Sequence, residues 1–481
     1  MIKERFKTFL LLSLVCISIF LTRQLWMKMP YEILPLFKRE EALSGNYLLT
    51  DMVRPHKYLL NFDKKSHTIF YNEDNEDIWT STRSILVDVL SSNNFKADIL
   101  SDEEFLTYNG KRSIVFYFPE KFSTYILARS LEVTKPNNIT ERMPKVDSIY
   151  LYLGSDEPFF VFSNDDRHLM VYNFDINMGN LREYVKEIEE TEDYTYYYPM
   201  KDTLDSNNNT FIPYEMSQSL PIVYVENELN PNNIEEIRSI AEEYFNKDID
   251  YIREIVENNG SVIYVYNQKV LKINQNGILE YFSPLEEPVG ERNLYISLNT
   301  AAEFLSNHIG IPESMYLTKI EEIEEEIESE KNQGYRLIFS HRVRGVPVIL
   351  GDNTIEDFIQ IDVFNRYVRN YKRFVRKDMN ISDLNLAENK QMLSAFDIIN
   401  MNPIYDLLEK RYIYDKNLSY DDINRETITN EILSSIQNID IAYLDPCIKD
   451  KEEKLIGVWL LETENRIYAF DVYTGELVFE R

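Results

Sequence analysis

The chain has 481 residues, 44% hydrophobic and 27% charged, which is apolar material for roughly three domains and too much for wholesale disorder. Lysine and arginine total 51 against 81 acids, and the net charge of −30 excludes general nucleic-acid binding. Two cysteines exclude a disulfide scaffold and a four-cysteine zinc site, and 13 glycines leave little material for phosphate-cradling loops.

The first predicted element is apolar. After Lys3, Arg5 and Lys7, residues 8–22 (TFLLLSLVCISIFLT) carry no charge, and Arg23, Gln24 and Trp26 follow. Fifteen uncharged residues are short for a helix crossing ~30 Å of hydrocarbon, but Lys7 and Arg23 can snorkel and residues 25–27 can complete the span. A cleaved signal peptide wants small residues at its processing site. Arg23, Trp26 and Met27 are bulky there, so the segment predicts an uncleaved anchor, residues 1–29 with the cytoplasmic start. Lys7, Arg23 and Trp26 mark the membrane interface. The positive charge before the span predicts a cytoplasmic N-terminus, a single pass through the cell membrane and an extracytoplasmic bulk. Residues 1–28 hold five cations and one acid, so the remainder carries −34. Ser18 and Thr22 lie four apart on one helix face, just after Leu11, Leu14 and Val15. Small and hydroxyl residues favour helix packing in lipid, so these five residues are the expected contact with a partner helix.

Residues 30–220 mix short strands and helices. KYLLNF, SIVFYF, SIYLYL and PFFVFS are short, β-branched or aromatic, and bounded by turn residues. Residues 82–91 and 181–190 read as helices, and KDTLDSNNN (201–209) as a loop near the boundary. The stretch 221–375 opens with NNIEEIRSIAEEYF, apolar every three or four residues, an amphipathic helix capped near Asn230. SVIYVYNQKVLKINQNGILEYF follows as a meander with a turn at Asn276 and Gly277. Residues 299–310 read as a helix. LTKIEEIEEEIESEKNQG fits either a helix or an acidic strand, and the two segments after it fit strands. In 376–481, residues 393–410 read as helical. IDIAYLD, LIGVWLLE and RIYAFDVYTGELVFE form an antiparallel meander with a turn at Tyr473 to Glu476. The fold class is thus α+β: a transmembrane helix, then three outer domains of mostly antiparallel sheets with packed helices, the last two sharing a rhythm.

No catalytic pattern stands out. The five histidines, His56, His67, His168, His308 and His341, have no metal-ligand spacing and read as surface or packed side chains. There is no G-x-S-x-G elbow, Walker loop or G-x-G-x-x-G, and Cys447 in DPCIKD has no recognisable partner. Asp205 to Asn209 begins like a calcium loop, but Thr210 and Met216 stand where glycine and glutamate are needed. YTYYYP reads as aromatic packing before carbohydrate binding, and EEIEEEIESE as a solvated face. No enzyme, metal site or cofactor is expected from these residues. The alternative kept open is an anchored cell-envelope enzyme or protease inhibitor.

Two segments carry a family resemblance. One is KERFKTFLLLSLVCISIFLTRQLWMKMPYE with DMVRPHKYLLNF, including the Leu-Thr-x-x-Leu-Trp exit and Arg54-Pro55; the other is GVWLLETENRIYAFDVYTGELVF. In order and spacing they resemble the YycH (WalH) family of YycFG (WalRK) regulatory proteins. The tail also resembles the small PepSY-like α+β unit. The resemblance implies three outer domains, the last two alike and PepSY-like. It implies two partners, the companion YycI and the sensor histidine kinase YycG (WalK), and a role in cell-wall homeostasis. The low glycine content and very acidic outer part depart from the family and leave the partner surface open.

Overall fold

The computed structural model describes residues 49–481, apart from 72–75, 205–207, 214–219, 311–314, 380–390, 419–424, 448–451 and some single or paired positions. The anchor residues Lys7, Leu11, Leu14, Val15, Ser18, Thr22, Arg23 and Trp26 lie outside the described residues. Among those described, no helix is long and apolar enough to cross a membrane.

The fold is mixed α and β, and the sheets are mostly antiparallel. The first holds β1 (Lys57–Asn61), β2 (His67–Tyr71), β3 (Lys96–Leu100), β4 (Ser113–Ser123), β5 (Lys145–Tyr152), β6 (Phe159–Asn164) and β7 (Arg167–Tyr172). Their order is β2-β1-β4-β5-β6-β7-β3. The four aromatic and β-branched runs of this region fall in β1, β4, β5 and β6, as their composition predicts. Helices α1 (Glu76–Ser91) and α2 (Gly179–Thr191) pack together, and their apolar faces enter the core with Phe116, Ile149 and Phe162. The YTYYYP segment is packing: Tyr194 lies 5.0 Å from Phe62, ring to ring, before the hairpin β8 (Tyr197–Pro199) and β9 (Phe211–Pro213).

A single construction then recurs: one helix followed by a four-stranded antiparallel meander. The first unit is α3 (Ile234–Phe245) with β11 (Arg253–Val256), β12 (Val262–Tyr266), β13 (Lys269–Ile273) and β14 (Leu279–Phe282), after a short β10 (Tyr224–Asn227). The cap of α3 is Asn233, whose side chain accepts from the Glu236 N–H, not Asn230. Asn230 sits one turn earlier and accepts from Asn233, so the asparagine-rich entry starts the helix three residues late. Gly277 at φ +76° makes the expected turn.

The second unit is α4 (Leu294–Asn307) with β15 (Met315–Ile327), β16 (Glu330–Val343), β18 (Ile359–Phe364) and β19 (Tyr367–Arg373). A side hairpin adds β17 (Val346–Leu350). The acidic segment is therefore a strand. Leu317 and Ile320 face the buried Phe339 and Leu337 across the β15–β16 pair, and the glutamates beyond them face solvent or cations. The fourth strands of the two units, β14 and β19, pair antiparallel, Tyr281 opposite Tyr371, so the units meet back to back about a local two-fold relation. The middle stretch thus contains the repeat twice.

After β20 (Arg376–Asp378), residues 393–410 split into a short helix Ala395–Ile399 and α5 (Asn402–Asp415). Pro403 at the start of α5 suits a first turn but not a continuous helix. A third helix, α6 (Arg425–Ser435), was not anticipated and opens the third unit. Its strands are β21 (Ile436–Asp445), β23 (Ile456–Thr463), β24 (Ile467–Asp471) and β25 (Leu477–Glu480), with β22 (Glu452–Lys454) as an excursion. Strand β17 joins β21 in parallel, which makes one sheet of thirteen strands from the three units.

Candidate functional site

Three buried polar clusters lie where these sheets meet. The first joins β1 and β2 to β21. The Lys57 ammonium donates to Asn438 Oδ1 at 2.9 Å and lies 3.6 Å from the Asp440 carboxylate. The Tyr71 hydroxyl donates to Asp440 Oδ1 at 2.6 Å, and Asn438 Nδ2 donates to Oδ2 at 2.5 Å. Burial pushes the Asp440 pKa up, but Lys57, Tyr71 and Asn438 outweigh it and hold the carboxyl below its usual range. Nearby Glu462 goes the other way: burial and the Asp440 charge raise it. Arg342, 2% exposed, donates to the His56 carbonyl at 2.8 Å and lies over the Tyr316 ring at 4.1 Å.

The second cluster centres on Arg376. Its guanidinium bonds Asp445 in two places, at 2.8 and 3.1 Å, and also Asn227 and Glu453, so one cation ties β20 to β10, β21 and β22. The third centres on Arg373, 1% exposed, which holds Glu228 bidentately at 2.6 and 2.8 Å and donates to the Gly310 carbonyl at 2.9 Å. Fork-shaped donors meeting buried carboxylates are the geometry in which ion pairs specify one arrangement of elements.

The described residues also form an open cleft of about 430 Å³ at the β14–β19 seam, between α3 and α4. Tyr244, Tyr281 and Phe304 line it, with ring centroids 5.3 to 6.0 Å apart, and His308 stacks on Phe304 at 4.3 Å. Lys269, Glu286, Glu303 and Arg366 stand around it. Burial lowers the His308 pKa, and its Nδ1–H donates to the Phe304 carbonyl at 2.8 Å, so the ring is neutral and held. The cleft offers an aromatic, hydrogen-bonding contact surface.

Sequence reasoning placed its contact on the anchor face, outside the described residues, and missed the arginine clusters. The available signal was parity: Arg373 shares the inward phase of Tyr371 on β19 and so had to be buried. All five histidines belong to buried or half-buried packing, His56 and His341 with a sealed Nδ1 that lacks a partner. Burial and the Asp445 charge push the Cys447 thiol up to about 12, which makes it a poor nucleophile at neutral pH. Among the described residues, no three metal-ligating side chains group together.

No family model matches this chain, and no curated protein matches it. Two solved structures overlay on part of it. An uncharacterized protein from Eubacterium rectale is 13% identical, covers 57% of this chain and 85% of its own length, and superposes with a TM-score of 0.33. The C-terminal domain of Bacillus megaterium YpeB is 12% identical, covers 51% of this chain and 96% of its own, with a TM-score of 0.22. Overlays this loose bear on neither function nor partners.

Proposed function

We propose that the chain is a non-enzymatic, single-pass membrane regulator of a sensor histidine kinase of the YycG (WalK) type. It acts with a YycI-type companion through its anchor helix and its outer domains. The observation that best supports this reading is the Lys57–Asp440 lock. Lys57 sits on the first described strand, and Asp440 sits on the first strand of the last unit. A partner bound on the outer sheets would thus act on a body fastened to β1, which follows the apolar segment in sequence. Coupling of ~1–3 kcal/mol between partner states is enough for a regulator of this kind. The PepSY-like character of the tail agrees with the recurring helix-and-meander unit.

The test is association in membranes. The full chain is expressed with the sensor kinase and companion from the same genome and captured in mild detergent, beside a copy whose residues 8–27 are an unrelated anchor. Loss of both partners from the swapped copy is the expected result and assigns the contact to the anchor face. Capture by both copies moves the contact to the outer domains. Capture by neither, with both copies folded and inserted, overturns the proposal and brings forward the anchored-enzyme reading.

A further inference from the structure

We propose that the β11 edge joins two copies of this chain into one continuous sheet. Among the described residues, β11 ends the thirteen-stranded sheet and pairs on one side only, with β12. Such an edge is usually blunted by short length, by charges such as lysine, by proline or by a bulge; β11 is four residues long and its two charged residues are of opposite sign. Here the register with β12 is unbroken from Arg253 to Val256, and the strand contains neither lysine nor proline. Val256 is 65% exposed, Ile255 36%, and Tyr251, just before the strand, 74%.

The backbone phase sets how a second copy would lie. The Glu257 N–H donates inward to the Ser261 carbonyl at 2.8 Å. Alternation along an antiparallel ladder turns Ile255 and Arg253 inward as well, and Glu254 and Val256 outward. Two β11 strands related by a two-fold axis therefore exchange hydrogen bonds between Glu254 of one and Val256 of the other, twice over. The axis passes between the two copies of Ile255. Arg253 then falls opposite Glu257 of the second copy, and Glu257 opposite its Arg253.

This ladder is self-complementary in charge and apolar at its centre. Arg253 is exposed and makes no ion pair among the described residues, although acids outnumber cations by thirty. Glu257 is only partly engaged, 3.4 Å from Lys272. Glu254, on the other face, is already taken by the Arg238 guanidinium at 2.9 and 3.1 Å, so it adds no free charge to the contact. Opposite charges directly across a strand pair stabilise it, and like charges destabilise it. The occupant that fits this edge is a second copy of the chain.

The test is sedimentation of the full-length chain in detergent at about 0.15 M salt, where charges beyond roughly 8 Å are screened. The wild type is expected as a concentration-dependent dimer. Arg253→Glu and Glu257→Arg each set like charges opposite one another and should leave a folded monomer whose melting transition no longer depends on concentration. The double variant restores opposite charges and should restore the dimer. A wild type that stays monomeric overturns the proposal. So does a dimer that survives Arg253→Glu, which would place association elsewhere, as would a double variant that stays monomeric.

Discussion

Asp440 is 9% and Lys57 15% exposed at the side chain, so each is nearly removed from water. Breaking such a pair strands the survivor. Asp440→Ala should therefore cost about 3–5 kcal/mol, read as a fall in the urea midpoint. Replacing both partners with apolar residues, Lys57→Met with Asp440→Leu, should cost far less, because no charge is left uncompensated. Equal losses in the two variants would show that cavity and shape, not charge, dominate the site. The histidines give a second prediction at this scale. Burial lowers His341 to about 4, with Glu228 pulling it up and Arg373 pushing it down, and burial and Lys57 lower His56 to about 3. Unfolded histidine titrates near ~6.5, so the unfolded chain binds protons first as the pH falls. The stability from His341 is therefore complete above about pH 6.5 and shrinks on acidification, by about 2 kcal/mol at pH 5. His56 acts in the same direction. Denaturant titrations at pH 7 and pH 5 check the slope, and His341→Leu should remove part of it; an unchanged slope would mean that His341 keeps a near-ordinary pKa when folded.

At the scale of elements, β16 shows how closely strands approach. A Cβ on Gly334 would stand 2.6 Å from the Val363 carbonyl oxygen and 2.8 Å from the Phe364 ring, across the β16–β18 pair. Backbone cannot retreat as a flexible side chain can. Gly334→Ala should cost about 1–3 kcal/mol of stability, measured by thermal unfolding, and its damage should centre on the β15–β16–β18 sheet in hydrogen exchange. A neutral result would mean that the strands can part there at no cost. The same region shows where the amino-acid sequence was legible. The aromatic runs became β1, β4, β5 and β6 because their residue types suit pleated, buried strands. The segment LTKIEEIEEEIESEKNQG was ambiguous because Leu317, Ile320, Ile323 and Ile327 recur at helical spacing. Pairing decided it: a bulge between Leu317 and Lys319 changes the phase, which brings Leu317 and Ile320 to the same buried face. A bulge has no local signature, so periodicity alone misreads it. The arginine clusters were hidden for a related reason, since Glu228 and Arg373 become partners only through pairing distant in sequence.

At the scale of the whole molecule, few seams carry the load. The third unit meets the rest through the short parallel β17–β21 pairing, the Arg376 cluster, the Lys57–Asp440 lock, the β9 strand and apolar packing against Val343, Phe358 and Phe374. The core is not divided along the chain in the same way. One apolar cluster runs from the first sheet through both middle units, joining Phe116 and Ile149 to Leu271, Leu298 and Ile361. A second gathers the third unit with β9, β10, β17 and the end of β16, joining Ile212, Val225, Val343 and Val348 to Trp459 and Phe470. Cooperativity between the two clusters should therefore depend on the polar seams together with β16, whose Leu337 and Phe339 lie in one cluster and Val343 in the other. Chains of this size commonly unfold in more than one step, but the seams between the clusters are expected to join the wild-type chain into one calorimetric transition. Arg376→Met leaves Asp445 and Glu453 buried without their cation and loosens three strands at once. Combined with Asp440→Ala, it should split the transition into two, the lower one belonging to the third unit. Hydrogen exchange under mildly destabilising conditions assigns that step, because amides of β21, β23 and β24 should open before those of β4 and β5. A single transition that merely moves to lower temperature would mean that β17–β21 pairing and the strands common to both clusters suffice to couple them. A signal entering at the last unit would then reach the middle units through the thirteen-stranded sheet.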